Sequence, residues 1–464
     1  MRTVLIITEV FPPCENMTSS SKRLTGFAKY LPEFGWAPIV LNLQCNCVQE
    51  KSLKNDQPWA ESFFLNDKSD MKILKDKVSG WTRKFPLIIR VSPKMGRIRG
   101  LWQFVAALTG SRFRFDDHFG SFSRDQRVKK ASIFLRYPLT PLRKMLSWMS
   151  NLTWDHTDWV NKGTKIANIL CEALSIDVVL STSPNLVNHV IAYRVTKKRH
   201  IRWAADLRDS IAIKHREFTR FPMSYRIRFL RKASCFVHVT PEEAERDRGI
   251  LGGKKNFVIE NGFLEEEIMD LKNVRPDVQN IFILRYLGVV DSFSQLDLFL
   301  TGFREFINKH SSKPLYIRFE YYGHSFEKVR ELVKLFDLES YSAVNPNVSF
   351  KESISLMGSS TVLIQPIDAR YPGCPGGKFY EYLGVQRPIL ATGTAEPYVE
   401  SILANTGAGT AAHSPTEIAQ VLGAWYAQFL QAGEISLKVN PDEIMKYSRR
   451  VSTRKLAEAL SSLF

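Results

Sequence analysis

Unbroken apolar runs, separated by polar stretches with helical periodicity, organise this chain. Residues 3–8 (TVLIIT) form such a run. A strand that is apolar at consecutive positions is covered on both faces, as the strands of a parallel sheet are. Similar runs stand at 37–43, 177–181 (DVVLS), 202–206 (RWAAD), 235–240 (CFVHVT) and 257–259. A second set stands at 282–289 (FILRYLGV), 316–322, 348–350, 361–367 (TVLIQPI) and 388–391. Between them the pattern predicts helices at about 22–31, 159–173, 185–197, 296–309, 327–336, 352–357, 395–403, 416–429 and 448–464. Pro32 and Gly35 stop the first of these. Residues 56–70 read as a polar loop. Strand and helix alternate in two blocks of about 200 residues, joined near 263–275. The expectation is an α/β protein of two doubly wound domains facing across a cleft.

Ligands of such sheets bind beyond the carboxyl ends of the strands. The loop after the first strand ends in Thr18-Ser19-Ser20-Ser21, hydroxyls that cap the next helix or meet a ligand. Thr182-Ser183-Pro184 follows another strand, and His189 lies on the helix beyond it, as a core or capping residue or as a substrate contact. Asp206-Leu207-Arg208-Asp209 sets three charged residues at the end of an apolar strand, where core packing does not account for them. The most distinctive stretch is 371–390. It has two prolines and three glycines within 371–377, then a short helix, 378–383, stopped by Gly384. Strand, glycine-rich loop, helix is the layout of a phosphate-binding turn. Lys378 stands in the first helical turn, where a cation is unfavourable unless an anion is also present. Glu381 lies one turn on, on the same face. A phosphate for Lys378 and a pair of hydroxyls for Glu381 explain the two residues; a surface i,i+3 ion pair is the plain alternative.

Charge sharpens the picture. Of 464 residues, 44% are hydrophobic and 24% charged, the balance of a globular protein. No apolar run approaches the roughly 18 residues of a membrane span. The N-terminal run is short, carries Glu9 and has no cleavage pattern, so a cytoplasmic location is expected. Six scattered cysteines complete no zinc pattern and read as reduced thiols. Residues 81–150 hold fifteen Lys and Arg against three Asp, so +12 of the net +17 belongs to one segment. Within it, 101–108 (LWQFVAAL) and 133–149 mix large apolar side chains with cations. Such mixtures suit the surface of an anionic bilayer, with packing on the protein's own core as the alternative. Trp102, Phe104, Arg97, Arg99, Arg143 and Lys144 are the membrane-contact candidates. No nucleic-acid module is recognisable, and no nucleic-acid partner is expected.

In order and spacing these landmarks resemble the GT-B glycosyltransferases, closest to the retaining, family-four-like enzymes that use nucleotide sugars. The resemblance runs over nearly the whole chain. Its stretches are the first strand with Phe11-Pro12-Pro13, Ser181-Thr182-Ser183-Pro184 with His189, and Asp206-Leu207-Arg208-Asp209. It continues through Val258-Ile259-Glu260-Asn261-Gly262-Phe263, Tyr286-Leu287-Gly288, PGGKFYEYL at 375–383, and Arg387-Pro388-Ile389-Leu390. It implies a Rossmann-like acceptor domain at 1–265, with the basic insertion at about 46–155. It implies a Rossmann-like nucleotide-sugar domain at 276–445, and a final helix, 446–464, packing back on the first domain. Glu381 matches the glutamate that holds the ribose hydroxyls, Gly376 and Gly377 fall near the diphosphate, and Gly288 is a further donor-binding candidate. Asp206, Arg208 and Asp209 become the catalytic candidates, and Thr18, Ser19, Ser183 and His189 the acceptor-side ones. No metal or other cofactor is implied.

Three positions depart from the pattern. Gly373 stands where many relatives carry a second glutamate. Residues 288–293 (GVVDSF) lack the Arg and Lys that many relatives use on the diphosphate, which leaves Lys378 and Arg370 for that role. Thr18–Ser21 replaces a Gly-Gly loop. The activity implied is transfer of a sugar, with retention, from a nucleotide-diphosphate sugar to a lipid-linked or cell-surface glycan precursor at the inner face of a membrane. An epimerase-like GT-B enzyme and a non-catalytic membrane-associated homologue are the alternatives.

Overall fold

The computed structural model describes residues 1–11, 19–43, 58–65, 68–92, 154–183, 186–212, 223–269, 281–290, 294–310, 315–367, 373 and 375–464. It divides into two compact units. The first comprises Met1–His238, Ala244–Val258 and Leu456–Phe464; the second comprises Val239–Glu243 and Ile259–Lys455.

The first unit is an eight-stranded sheet of order β3-β4-β2-β1-β5-β6-β7-β8. Its strands are β1 (Arg2–Thr8), β2 (Trp36–Leu43), β3 (Glu61–Leu65), β4 (Leu87–Val91), β5 (Val178–Thr182), β6 (Arg202–Leu207), β7 (Cys235–His238) and β8 (Lys255–Val258). Every pairing is parallel. The central strands are apolar at nearly every position because helices such as Trp154–Ala173 and Leu186–Arg199 cover them. Winding reverses between β1 and β5, so the loops after those strands flank a switch point where α/β sheets bind ligands. The chain's last residues are held here. Trp36 Nε1 donates to Ser461 Oγ at 3.3 Å, and the Phe464 ring lies 4.1 and 4.0 Å from the guanidinium groups of Arg2 and Arg202.

The second unit is a six-stranded parallel sheet of order β11-β10-β9-β12-β13-β14. The strands are β9 (Phe282–Leu287), β10 (Ile317–Tyr322), β11 (Ser342–Asn345), β12 (Val362–Pro366), β13 (Ile389–Thr392) and β14 (Gly409–Ala412). Read from its own first strand, the order is 3-2-1-4-5-6, that of a mononucleotide-binding pair, with the switch point between β9 and β12. Helices Leu296–His310 and Pro415–Ala432 pack closely where Gly302 meets Ile418; a Cβ at 302 would fall 2.6 Å from the Ile418 Cβ. Inside the sheet, Arg285 Nε lies 2.7 Å from Glu320 Oε2, and Arg285 Nη1 donates to the Leu356 carbonyl and Ser359 Oγ.

Several expectations are corrected. The stretch 56–70, expected to be a loop, holds β3 and the start of helix Lys68–Ser79. β3 and β4, which fall within the 46–155 segment expected to be an insertion, are integral to the sheet. No strand forms at 348–350. Ser349 instead caps helix Phe350–Gly358, its Oγ accepting from Glu352 N at 3.3 Å, and the strand of this region is β11. Gly384 does not stop its helix, which runs Gly376–Val385 and ends at Gln386 in the left-handed region (φ 56°). The glycine is there for room: a Cβ at 384 would sit 2.7 Å from Phe263 Cγ and closer still to Ile268. β14 and helix Pro441–Met445 had no counterpart in the sequence reading.

Arg90, counted in the basic segment, is buried in β4 with its guanidinium 5.9 Å from the Phe11 ring. The candidates Trp102, Phe104, Arg97, Arg99, Arg143, Lys144, Thr18 and Arg370 lie outside the described residues. Among the described residues, no helix is long and apolar enough to cross a membrane.

Candidate functional site

In the second unit, β12 leads through the loop at Gly373 into helix Gly376–Val385. Pro375 occupies the N-cap and offers no side-chain acceptor, so the amides of the first helical turn have no capping side chain. Gly376 has φ +78°, and a Cβ there would meet nothing within 4 Å. That is an open approach to backbone N–H groups at the positive end of a helix. Gln365, buried on β12, anchors the loop: its Nε2 donates to the Pro366 and Pro375 carbonyls at 3.1 and 3.3 Å.

Lys378 and Glu381 are joined. Lys378 Nζ lies 3.0 Å from Glu381 Oε2, with the lysine side chain about a third exposed and the glutamate buried. The ammonium also sits 3.5 Å from Ser353 Oγ and 6.0 Å from the Phe350 ring. Across the switch point, the Gly288 loop is tied down. Gly288 N donates to the Tyr322 carbonyl at 3.1 Å, and the Tyr321 hydroxyl donates to the Gly288 carbonyl at 2.7 Å. Tyr286 Oη donates to the Val289 carbonyl at 2.9 Å. Burial pushes the Tyr321 hydroxyl above its ordinary pKa, so it stays a donor.

Gly373 is gripped by acids. Its N–H donates to Glu396 Oε2 at 2.7 Å. Its φ is +79°, and a Cβ there would lie 2.8–2.9 Å from Cγ, Cδ and Oε2 of Glu242. Glu242 stands in the first turn of helix Pro241–Leu251, on the part of that helix belonging to the second unit. Glu396 N in turn donates to Glu400 Oε1 at 3.0 Å, and that oxygen lies 3.3 Å from His413 Nε2.

In the first unit, the carboxyl ends of β5 and β6 are bound together. Asp206 is fully buried. Its Oδ1 accepts from Arg23 Nη2 at 3.0 Å, and its Oδ2 accepts from Arg23 Nε at 3.3 Å and Thr182 Oγ1 at 2.8 Å. Ser183 Oγ accepts from Arg208 N at 2.8 Å, and the Ser183 carbonyl accepts from Arg208 Nη1 at 3.1 Å. Asp247 holds the following residues, accepting from Ser210 Oγ at 2.6 Å and Ile211 N at 3.0 Å. Arg208 and Asp209 are only half-buried, so this clamped loop presents them while Asp206 stays inside.

His189 is a core residue. Trp203 Nε1 donates to Ser181 Oγ at 2.7 Å, and the same oxygen lies 2.8 Å from His189 Nδ1. Burial drives its pKa from 6.5 to about 4, against the opposing pull of Asp206.

The structure thus gathers Lys378, Glu381, Gly376 and Gly377 on one helix, and Asp206, Arg208 and Ser183 in one clamp. Ser19 begins helix Ser19–Tyr30. Sequence reading missed Arg23, whose partner is 183 positions away. It also missed Glu242 and Glu396, which no local pattern connects to Gly373. Among the described residues, no group of three His, Cys, Asp or Glu side chains is placed to hold a metal ion.

No family model and no curated protein matches the chain in sequence. Solved structures match over the whole length. A glycosyltransferase from Rickettsia africae is 15% identical, covering 100% of this chain and 98% of its own, with a TM-score of 0.57. Anabaena HepE, solved with UDP and glucose, is 10% identical with full coverage of both chains and a TM-score of 0.55. Sucrose-phosphate synthase from Thermosynechococcus elongatus is 8% identical over 100% of this chain and 95% of its own, with a TM-score of 0.53. The chain has the GT-B fold: two parallel, Rossmann-like sheets with flanking helices.

Proposed function

We propose that the chain is a nucleotide-sugar-dependent glycosyltransferase whose donor is bound by the second unit. The observation that carries this reading is the 3-2-1-4-5-6 sheet, with a glycine loop and an open helix N-terminus after β12 and Glu381 one turn inside that helix. The helix amides and Lys378 meet the diphosphate, and Glu381 accepts the ribose hydroxyls. The fold shared with HepE, whose structure holds UDP and glucose, supports the same assignment.

Transfer breaks the bond between the sugar's anomeric carbon and the diphosphate oxygen and forms one to an acceptor hydroxyl. The negative charge that grows on the leaving diphosphate is what the helix amides and Lys378 stabilise. The acceptor proton passes to the leaving phosphate, or to Asp209 as the half-buried carboxylate of the clamp. Asp206 acts differently, as a positioning residue: its pairing with Arg23 fixes the loop that presents Arg208 and Asp209. We further propose retention of anomeric configuration, and an acceptor that is a lipid-linked or surface-glycan precursor met at an anionic membrane through the segment 81–150. No metal is required on this reading.

A thermal-shift panel of UDP-, GDP-, dTDP- and CMP-sugars tests the proposal. Stabilisation by one of the diphosphate classes, UDP-, GDP- or dTDP-sugars, is expected, with free nucleoside diphosphate released on adding a membrane-lipid acceptor extract. No shift with any member overturns the donor assignment. Isomerised donor without an acceptor points to an epimerase-like enzyme instead.

A further inference from the structure

The loop after β13 is pinned on two sides, and only one of the pins depends on a proton. On one side Gln295 holds Thr394: its Oε1 accepts from Thr394 N at 3.0 Å, and its Nε2 donates to Thr394 Oγ1 at 2.9 Å. An amide side chain does not titrate, so this tie is the same at every pH. On the other side stands His413, the residue after β14, with its ring between two acceptors. Nδ1 lies 3.0 Å from the Gly393 carbonyl oxygen, and Nε2 lies 3.3 Å from Glu400 Oε1. A carbonyl and an ionised carboxylate only accept. The ring therefore satisfies both when both nitrogens carry protons, and only one of them when it is neutral. Imidazole is the side chain that passes between these forms between about pH 5 and 8. The His413 and Glu400 side chains are 35% and 41% exposed, so solvent exchanges the proton freely.

Glu400 leads from this ring to the donor loop. The same Oε1 accepts from Glu396 N at 3.0 Å, at the start of helix Pro397–Thr406. Glu396 Oε2 in turn accepts the Gly373 N–H at 2.7 Å, just ahead of the helix whose N-terminus takes the diphosphate. When the ring is neutral, one of its nitrogens turns a lone pair toward an acceptor oxygen, and either Glu400 or the Gly393 carbonyl is released. Among the described residues, the charged groups that share the hollow at the ends of β12, β13 and β14 with His413 are Glu396 and Glu400. From the first turn of helix Pro415–Ala432, Glu417 Oε2 accepts His413 N at 2.8 Å. That backbone N–H holds the Glu417 carboxyl below its ordinary pKa, so Glu417 keeps its charge while the imidazole titrates.

We propose that His413 is a positioning residue for donor binding. Its protonated ring holds Glu400, Glu400 holds Glu396, and Glu396 holds the donor loop at Gly373, so donor affinity falls as pH rises through the imidazole range. The proposal rests on the nucleotide-sugar reading of the second unit. His413 itself touches no substrate; it acts through the two glutamates, and Gln295 keeps the far side of the same loop in place while the proton comes and goes.

Isothermal titration of the wild-type chain and His413→Gln with UDP-glucose, GDP-mannose and dTDP-glucose, at about pH 6 and about pH 8, tests this. Nucleotide sugars are used because their diphosphate, esterified at both ends, keeps its charge across this range. The wild-type chain is expected to bind about threefold more weakly at the higher pH, the scale of a half-exposed ion pair. His413→Gln places an amide donor near the Nε2 position that does not titrate, and is expected to bind equally at both. Amide hydrogen exchange at Gly373 in the ligand-free chain reads the loop itself: relative to His413→Gln at the same pH, the wild-type chain should lose protection as pH rises. Equal wild-type affinity at both pH values, or the same pH dependence in the variant, overturns the role of His413 alone. A change in affinity without a change in Gly373 protection overturns the route through Glu396. A wild-type chain that binds none of the probes overturns this inference together with the donor reading.

Discussion

Arg23 and Asp206 face each other through two hydrogen bonds, Nη2 to Oδ1 at 3.0 Å and Nε to Oδ2 at 3.3 Å, with both side chains fully excluded from solvent. The pair joins the helix after β1 to the end of β6, across the switch point of the first sheet. Removing one member takes the ion-pair partner from a buried charge. Arg23→Met or Asp206→Asn is expected to cost about 3–5 kcal/mol in urea unfolding. The double variant Arg23→Met/Asp206→Asn should lose less than the two single losses combined. Additive losses would mean that the two groups do not depend on one another.

Lys378→Ala and Glu381→Ala should each weaken nucleotide-diphosphate binding roughly tenfold, because each loses a charge-assisted hydrogen bond. Their salt dependence separates them. The lysine variant should lose the dependence on ionic strength that a phosphate contact confers, and the glutamate variant should keep it. Titration at two salt concentrations checks both.

His189 makes stability depend on pH. Its unfolded value is near 6.5, and burial lowers the folded value to about 4. Above 6.5 both states are neutral and nothing is lost. Between 6.5 and 4 the unfolded chain takes up a proton that the folded chain refuses, so stability falls as pH falls through this window. The full loss is roughly 3 kcal/mol. Urea midpoints measured from pH 7 to pH 4.5 should show the decline, and His189→Leu should flatten it.

Two glycines of one helix should respond differently to alanine. Gly384→Ala drives a methyl into Phe263 and Ile268, an overpacking expected to cost about 1–3 kcal/mol. Gly376→Ala meets no neighbour and bears only its positive φ, about 1 kcal/mol. Thermal unfolding of the two variants ranks them.

The basic segment yields a further expectation. If residues 81–150 meet an anionic bilayer, the chain should sediment with phosphatidylserine vesicles at low salt and be released at high salt. Charge reversal at Arg143 and Lys144 should weaken the binding, and an absence of sedimentation at low salt would end that proposal.

What the sequence disclosed follows from where each element lies. The central strands β1, β5, β9 and β12 are covered on both faces and therefore read as plain apolar runs. Of the strands that were missed or misplaced, β3, β11 and β14 are sheet edges, while β4 is interior and its short run, Leu-Ile-Ile-Arg-Val, was hidden by the basic stretch around it. An edge strand packs less and carries less apolar signal, as Glu-Ser-Phe-Phe-Leu and Gly-Thr-Ala-Ala show. The same distinction runs through the site. Lys378 and Glu381 are three positions apart, and helical geometry alone pairs them. Arg23 with Asp206, and Glu242 with Gly373, meet only once sheets and loops are assembled, so no local pattern announces them. Gly384 misled for another reason: the same residue type serves to end a helix or to let a neighbour come close.

The Lys378–Glu381 contact has a consequence for selectivity. On the proposed reading, the group meant for phosphate and the group meant for ribose cancel one another's charge until substrate arrives. Inorganic phosphate must pull the lysine away from the glutamate, and a nucleoside must pull the glutamate away from the lysine. Only a molecule carrying both parts at the right separation satisfies both residues at once. The helix thus behaves as a coincidence detector, deaf to the abundant fragments of its substrate and responsive to the whole.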